Sequence, residues 1–189
     1  MEIRILENPN FIRRNFEENF VMTWEMFQVK QRKWIAEMAE AHYPIDANWY
    51  NQAYMWDRMD PKYPRVFFRE ALLALCQHKG NVFIMSEGES HRYPGELRYH
   101  NKSVINFVAQ VDVNELASLV EEEWLATFEL GKQAETNCSP VLPEDLYVFD
   151  ESMAWFVVFT HEASDLNAQF SDKMKAANSR FCILGKKQV

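Results

Sequence analysis

The stretch that decides the fold is "LYVFDESMAWFVVF", Leu146 to Phe159. Two runs of aromatic and β-branched residues flank the acidic segment "DESM", residues 150–153. Apolar side chains occupy both alternating sets of positions in each run, as is typical of strands in the middle of a sheet covered on both faces. The connecting segment contains no glycine, which favours a longer loop over a tight two-residue turn. The stretch therefore predicts a central β-hairpin.

Shorter strands are predicted around this hairpin at 2–6, 81–86, 104–111 and 180–185. The polar segment 87–103, with two glycines and one proline, is predicted to form a long loop or an irregular hairpin. These strands lack the regular alternation with helices that marks a parallel sheet, and no glycine-rich nucleotide fingerprint accompanies them. We therefore predict a mostly antiparallel sheet.

Helices dominate the predicted structure of the first 80 residues. One long helix is expected from Phe16 to His42, because its large apolar residues recur on one face. Further helices are predicted from Asp46, from Val66 to His78 with Gly80 as a left-handed cap, from Asp112 to about Leu130, and over 165–178. The fold class expected for this chain is α+β, with a helical N-terminal part packed on the sheet.

A single domain is expected to span residues 1–189, with 1–80 mainly helical and 81–189 forming the sheet with two helices. The chain is 48% hydrophobic and 14% aromatic, which suffices for a core. No apolar run resembles a signal peptide or a membrane span. Cys76, Cys138 and Cys182 are too far apart for a metal knuckle and odd in number, so reduced thiols and a cytoplasmic location are expected.

No catalytic, metal or cofactor motif stands out in the sequence. His91 and His100 share a segment with Glu87, Glu89 and Glu96, where a divalent metal could bind, but a polar loop explains the same residues. We therefore predict neither a metal nor a cofactor. The aromatic residues of 1–80 lack an excess of basic residues between them, so core packing explains them better than base stacking.

Negative charge is concentrated in residues 112–165, which hold 13 acidic residues against the single base Lys132. The net charge of residues 1–111 is zero and that of residues 166–189 is +4. Residues 112–165 therefore carry the entire negative excess behind the formal charge of −8. Glu115, Glu122 and Glu129 recur every seven residues and should form one solvent-exposed stripe on the predicted helix. Glu121 and Glu123 are expected to widen that surface. The alternative is an ordinary solvated helix face.

In general character the whole chain resembles bacterial immunity proteins of interbacterial toxin systems, which are small, acidic, reduced and free of catalytic motifs. This resemblance implies an intracellular inhibitor, not an enzyme, that binds a basic protein such as a nuclease-type toxin. Acidic side chains would then steer association toward the positively charged substrate groove of the toxin. We predict the contact residues to be Glu115, Glu122, Glu129, Asp150 and Glu151.

Two alternatives remain open at this point. The first is a hydrolase or transferase that uses His161 with Glu144 and Asp145, since the far ends of an antiparallel hairpin lie close together. Neighbouring residues of a strand point to opposite faces, however, so His161 and Glu162 are more typical of the rim of a core. The second is a regulator that mimics nucleic acid and occupies a nucleic-acid-binding protein.

Overall fold

A computed structural model describes residues 1–40, 54–60, 62–87, 95–100, 102–128, 141–160 and 182–186, without the side chains of 34–40 and 124–128. The helices are α1 Pro9–Phe20, α2 Trp24–Glu40, α3 Phe68–Leu75, α4 Val113–Phe128 and the short 3₁₀-helix Trp56–Arg58. The strands are β1 Arg4–Ile5, β2 Arg65–Val66, β3 Asn81–Met85, β4 Glu96–Tyr99, β5 Lys102–Ile105, β6 Val108–Asp112, β7 Leu146–Phe149, β8 Trp155–Phe159 and β9 Cys182–Lys186.

Seven strands form one sheet in the order β1-β6-β3-β7-β8-β9-β2, and every neighbouring pair is antiparallel. The hairpin predicted from the sequence is β7–β8, and every residue of its two strands is buried. β4 and β5 form a separate two-stranded hairpin within the segment predicted to be irregular. The predicted α+β class with its antiparallel sheet is confirmed.

The sheet carries a hydrophobic core on each face, because alternate residues of its strands point to opposite sides. On one face, Val148 and Val157 pack with Leu72 of α3 and Leu116 of α4. On the other face, the core contains apolar residues of α1, of segments 54–60 and 62–63 and of the central strands, namely Phe16, Phe20, Met55, Trp56, Met59, Tyr63, Tyr147, Phe149 and Phe156. Burial on both faces explains why neither run of the hairpin alternates with polar residues.

The prediction of one helix from Phe16 to His42 is wrong, because the chain forms two helices separated by Val21–Thr23. Val21 pairs with Met59 as an isolated antiparallel bridge. The N–H of Met22 donates to the Arg58 carbonyl at 2.9 Å, and the Arg58 guanidinium donates to the Met22 carbonyl at 3.2 Å. Partners distant in sequence therefore take the backbone hydrogen bonds that would have continued the helix.

Several other element boundaries also differ from the predictions, and two of the differences have a visible cause in the backbone. The predicted strand 104–111 is interrupted at Asn106, whose φ of 50° separates β5 from β6. The third helix ends at Leu75, so Gly80 does not cap it. Gly80 does have a positive φ of 81°, and its carbonyl accepts the N–H of Val113 at 3.0 Å. The predicted helices from Asp46 and over 165–178 lie outside the described residues.

Candidate functional site

One end of the sheet gathers acidic residues from four different segments. β6 ends at Asp112, which pairs with Asn81 at the start of β3. β7 pairs with β3 so that Asp150, the residue after β7, lies near the start of β3. β1 pairs with β6 so that Glu2, two residues before β1, lies beside Asp112. We call this surface the acidic rim and define it by the residues Glu2, Asp112, Glu115, Asp150 and Glu151.

Local hydrogen bonds fix the geometry of the rim. The Asp112 carboxylate accepts the backbone N–H groups of Asn114 at 2.9 Å and Glu115 at 3.2 Å, which caps α4 as predicted. Glu115 in turn accepts the backbone N–H of Glu2 at 3.2 Å, which joins β1 to the helix. Among the described residues, no basic side chain forms a salt bridge with any of the five rim carboxylates.

The Asp150 carboxylate organises the acidic turn between β7 and β8. Its oxygens accept the N–H of Ala154 at 3.0 Å and the hydroxyl of Ser152 at 2.7 Å. Met153 has a positive φ of 54°, which fits a longer loop of the kind predicted in the absence of glycine. Glu151 remains exposed at the tip of this turn.

Three of the five predicted contact residues, Glu115, Asp150 and Glu151, therefore lie at one end of the sheet. Glu122 is exposed on α4, seven residues and so about 10 Å further along the helix axis than Glu115. Glu129 lies outside the described residues. The structure thus brings together a part of the predicted set.

The acidic surface of α4 is narrower than the sequence suggests. Glu123 does not widen it, because its half-buried carboxylate accepts the backbone N–H groups of Val141 at 2.6 Å and Leu142 at 3.1 Å. Burial raises the pKa of Glu123, and these hydrogen bonds oppose the shift. Glu121 lies 3.9 Å from the guanidinium of Arg69, but both side chains are exposed, so this contact is weak and leaves Glu121 on the acidic surface of α4. Of these two glutamates, only Glu123 is therefore taken up by contacts within the fold.

Basic residues also lie at this end of the sheet. Lys79 is exposed in the turn before β3, and Lys186 is exposed at the end of β9, opposite Trp155 of β8. His78 lies near both Asp150 and Lys186, whose charges act on its pKa in opposite directions. Burial is the larger effect and lowers the pKa of His78. Because β3 lies between β6 and β7, the turn with Lys79 reaches this end of the sheet between Asp112 and Asp150, whereas Lys186 lies on the side of β9.

The opposite end of the sheet holds a buried carboxylate that the sequence did not reveal. Glu87 is 2% exposed, and both of its carboxylate oxygens accept the backbone N–H of Met55, at 3.1 and 3.2 Å. The hydroxyl of Tyr147 donates a short hydrogen bond to the same carboxylate and accepts the N–H of Trp56 at 3.1 Å. Glu87 and Tyr147 therefore fasten segment 54–59 to the sheet.

Burial raises the pKa of Glu87 to about 7. The nearby charge of Asp145 acts in the same direction, whereas the hydrogen bond from Tyr147 and the charge of Arg13 oppose the shift. Arg13 itself is buried and donates to the carbonyls of Ser86 at 2.8 Å and Phe107 at 3.3 Å. Because the carboxylate of Glu87 is buried and hydrogen-bonded to Met55 and Tyr147, the group is suited to holding segment 54–59, not to meeting a substrate.

Of the residues that the enzyme hypothesis requires, the structure describes Glu144 and Asp145 but not His161. Leu146 pairs with Phe159, so Asp145 and Thr160 come to the same end of the sheet, as predicted for the far ends of the hairpin. Asp145 is buried and Glu144 is exposed. His161 lies outside the described residues, so its proposed partnership with these acids stays a prediction.

The potential metal ligands are dispersed in the described part of the chain. His91 and Glu89 lie outside it, whereas Glu96 forms a salt bridge with Arg98. No group of three or more His, Cys, Asp or Glu side chains suited to a metal occurs among the residues that the structure describes. Cys76 is exposed and Cys182 is buried, and both are free thiols, while Cys138 lies outside the described ranges.

Comparison with known proteins adds no relative: no family model, curated protein or solved structure matches this chain. Within the described ranges, none of the helices combines the length and the apolar character needed to cross a bilayer. The site is therefore interpreted from its own geometry and charge.

Proposed function

We propose that this chain is a protein-binding inhibitor that covers a basic surface of its partner with the acidic rim, as an immunity protein neutralises a nuclease-type toxin. The observation that supports this proposal is the convergence of five carboxylates from separate segments on one end of the sheet, with no salt bridge to a described basic side chain. The assignment as an inhibitor rests on this arrangement of charge, together with the general resemblance of the chain to bacterial immunity proteins.

Electrostatics explains why such a surface suits that task. A nuclease binds the phosphate backbone through lysines and arginines, so the surface around its active site is positively charged. Carboxylates on an inhibitor attract that surface over several ångströms and accelerate association. The rim carboxylates need not leave an internal salt bridge before they bind, because none of them has one with a described residue.

Charge reversal at the rim tests the proposal. The triple variant Glu2→Lys, Glu115→Lys and Glu151→Lys, which leaves Asp150 in place to hold the turn, should bind basic nuclease-domain toxins about thirtyfold more weakly than the wild type, because attractive contacts become repulsive. Calorimetric titration and inhibition of DNA cleavage would measure this loss. The wild-type affinity should also fall as salt is added, since salt screens exposed charges.

A second triple variant provides a matched control. Glu7→Lys, Glu25→Lys and Glu144→Lys change the net charge by the same amount at exposed positions away from the rim. Both triples replace one glutamate in the first turn of a helix, Glu115 of α4 and Glu25 of α2, so the effects on helix stability are comparable. Equal losses of affinity in the two variants would show that net charge, and not the rim, drives binding.

The nucleic-acid-mimicking regulator stays a prediction that shares this charge evidence. The two hypotheses differ in the partner, because a toxin would lose a catalytic activity on binding, whereas a nucleic-acid-binding protein would lose its nucleic acid ligand. Inhibition of DNA cleavage by a nuclease-domain toxin would favour the toxin hypothesis. Displacement of nucleic acid from a non-catalytic binding protein would favour the regulator.

A further inference from the structure

A groove of about 340 Å³ borders the second half of β9, beyond the two residues of β9 that pair with β2. Segment 62–64, which precedes β2, lines the groove together with residues 155–157 of β8 and 184–186 of β9. Ala74 of α3 and His78, shortly after that helix, complete the lining. The volume lies at the lower end of the range for ligand sites in proteins, which corresponds to a small organic molecule.

Aromatic rings from the cores on both faces of the sheet meet in this groove. The ring of His78 stacks on that of Trp155, with centroids 3.5 Å apart and planes 10° apart. The ring of Tyr63 packs edge to face on Phe156 at a centroid distance of 4.9 Å. Phe156 lies across its cross-strand partner Gly185, where a Cβ would be only 1.9 Å from the ring. The groove is therefore mostly apolar, as small-molecule sites in proteins are.

Two lysines supply the charge of the groove. Lys186 is exposed at the end of β9 and forms no salt bridge with a residue that the structure describes. The ammonium of Lys62 lies 5.1 Å from the centroid of the Tyr63 ring. Lys62 also pairs with Asp60 at 3.6 Å, but these side chains are 47% and 41% exposed, so the pair is weak. None of the described residues that line the groove is acidic, although the chain carries a formal charge of −8.

The groups near His78 leave Lys186 able to attract an anion. Burial lowers the pKa of His78, and the charge of Lys186 acts in the same direction, whereas the charge of Asp150 opposes the shift. Asp150 does not line the groove, and its carboxylate already accepts the hydroxyl of Ser152 and the N–H of Ala154. A neutral imidazole keeps one N–H donor and adds no charge of its own. The positive charge at this end of the groove therefore belongs to Lys186.

We propose that this groove is a binding site for a small organic carboxylate with an aromatic body. The body packs against Ala74, His78 and Leu184, which the fold leaves half-buried. The carboxylate meets the ammonium of Lys186, and Lys62 adds to the attraction. Burial of apolar surface supplies most of the affinity, whereas the lysines supply the preference for an acid. The proposal does not depend on the function proposed for the acidic rim.

The test titrates the full chain, labelled with ¹⁵N, with cinnamate and separately with cinnamamide, which has the same apolar body and no charge. We expect cinnamate to shift the backbone amide signals of Ala74, Gly185 and Lys186 and the indole signal of Trp155, and the shifts to saturate. Cinnamamide should shift the same signals but bind about fivefold more weakly, because it forms no ion pair with a lysine. Phenylacetate, an acid with a shorter body, serves as a second probe.

The double variant Lys62→Gln, Lys186→Gln should lose the preference for cinnamate and bind cinnamamide as the wild type does. Its matched control, Lys30→Gln, Lys102→Gln, removes the same charge at exposed lysines that do not line the groove and should keep the preference. Absence of saturable shifts with both acids would overturn the proposal. So would equal wild-type affinities for cinnamate and cinnamamide, or an equal loss of preference in the two double variants. None of these results would bear on the acidic rim, which the triple variants test separately.

Discussion

The contribution of Glu87 to the stability of this protein is expected to fall by about 3 kcal/mol as the pH rises from about 4 to about 8, because its carboxyl is buried. Burial raises the pKa of Glu87 from the usual 4.5 of a glutamate to about 7 in the folded chain. Between these two values the folded protein holds a proton that the unfolded chain has released. Unfolding then releases a proton, so a higher pH favours the unfolded state. The contribution is complete below pH 4.5 and is lost as the pH passes 7.

Urea unfolding at a series of pH values measures this effect, with Glu87→Gln as the decisive variant. Glutamine keeps the size of the side chain and does not titrate, so the difference between the wild-type and variant curves isolates Glu87. Other groups contribute equally to both curves, including His78, whose lowered pKa acts in the opposite direction. The exposed control Glu122→Gln should keep the wild-type slope. Parallel curves for the wild type and Glu87→Gln would contradict the assignment.

Replacement of Phe16 by alanine is expected to lower the free energy of unfolding by about 4 kcal/mol. Phe16 is fully buried, and its ring lies within 6 Å, centroid to centroid, of the rings of Phe20, Tyr147, Phe149 and Phe156. Truncation removes the side chain that anchors α1 to the sheet and leaves a cavity among rigid aromatic rings. Urea unfolding monitored by circular dichroism gives the loss.

Phe16→Leu is the matched control, because it retains an apolar side chain of similar size and should lose about 1 kcal/mol. The exposed Phe11 of the same helix offers a second control, since Phe11→Ala should change stability by less than about 0.5 kcal/mol. A loss for Phe16→Ala that is no larger than for Phe11→Ala would show that α1 does not cover this face of the sheet.

The parts of the fold that could be predicted from the sequence depend on short-range patterns. The hairpin β7–β8 was predictable because apolar residues on both sides of each strand require burial on both faces. The start of α4 was predictable because the Asp112 cap acts on N–H groups two and three residues away. In both cases the residues that determine the structure lie within a few positions of each other.

The errors arise where the decisive partner is distant in sequence. The apolar spacing of Phe16, Phe20, Trp24 and Phe27 continues through the break between α1 and α2, and the break depends on Arg58 and Met59. Glu87 was read as a loop residue, whereas its partners Met55 and Tyr147 are 32 and 60 positions away. A buried tyrosine needs a partner for its hydroxyl, which was the one available signal.

Only part of the acidic rim was predictable, because its residues are brought together by strand pairs that are distant in sequence. Residues 112–165 showed the excess of carboxylates, but the alignment of Asp112 with Asn81 and of Phe149 with Phe83 brings Glu115 and the turn at Asp150 together. The inward orientation of Glu123 depends on the backbone of residues 141 and 142, which a helix periodicity cannot reveal.

Paramagnetic relaxation by a cationic and by an anionic nitroxide of the same size would test most directly whether the rim is a negative surface that attracts cations. The ratio of the two effects at each backbone amide reports the local electrostatic potential on the wild-type protein, without any partner. We predict that the cationic probe relaxes the amides of Glu115 and Glu151 several times more than the anionic probe does, and more than it relaxes Lys102 and Ser103. Equal effects of the two probes at Glu115 and Glu151 would show that Lys79 and Lys186 neutralise the rim, and would contradict the account.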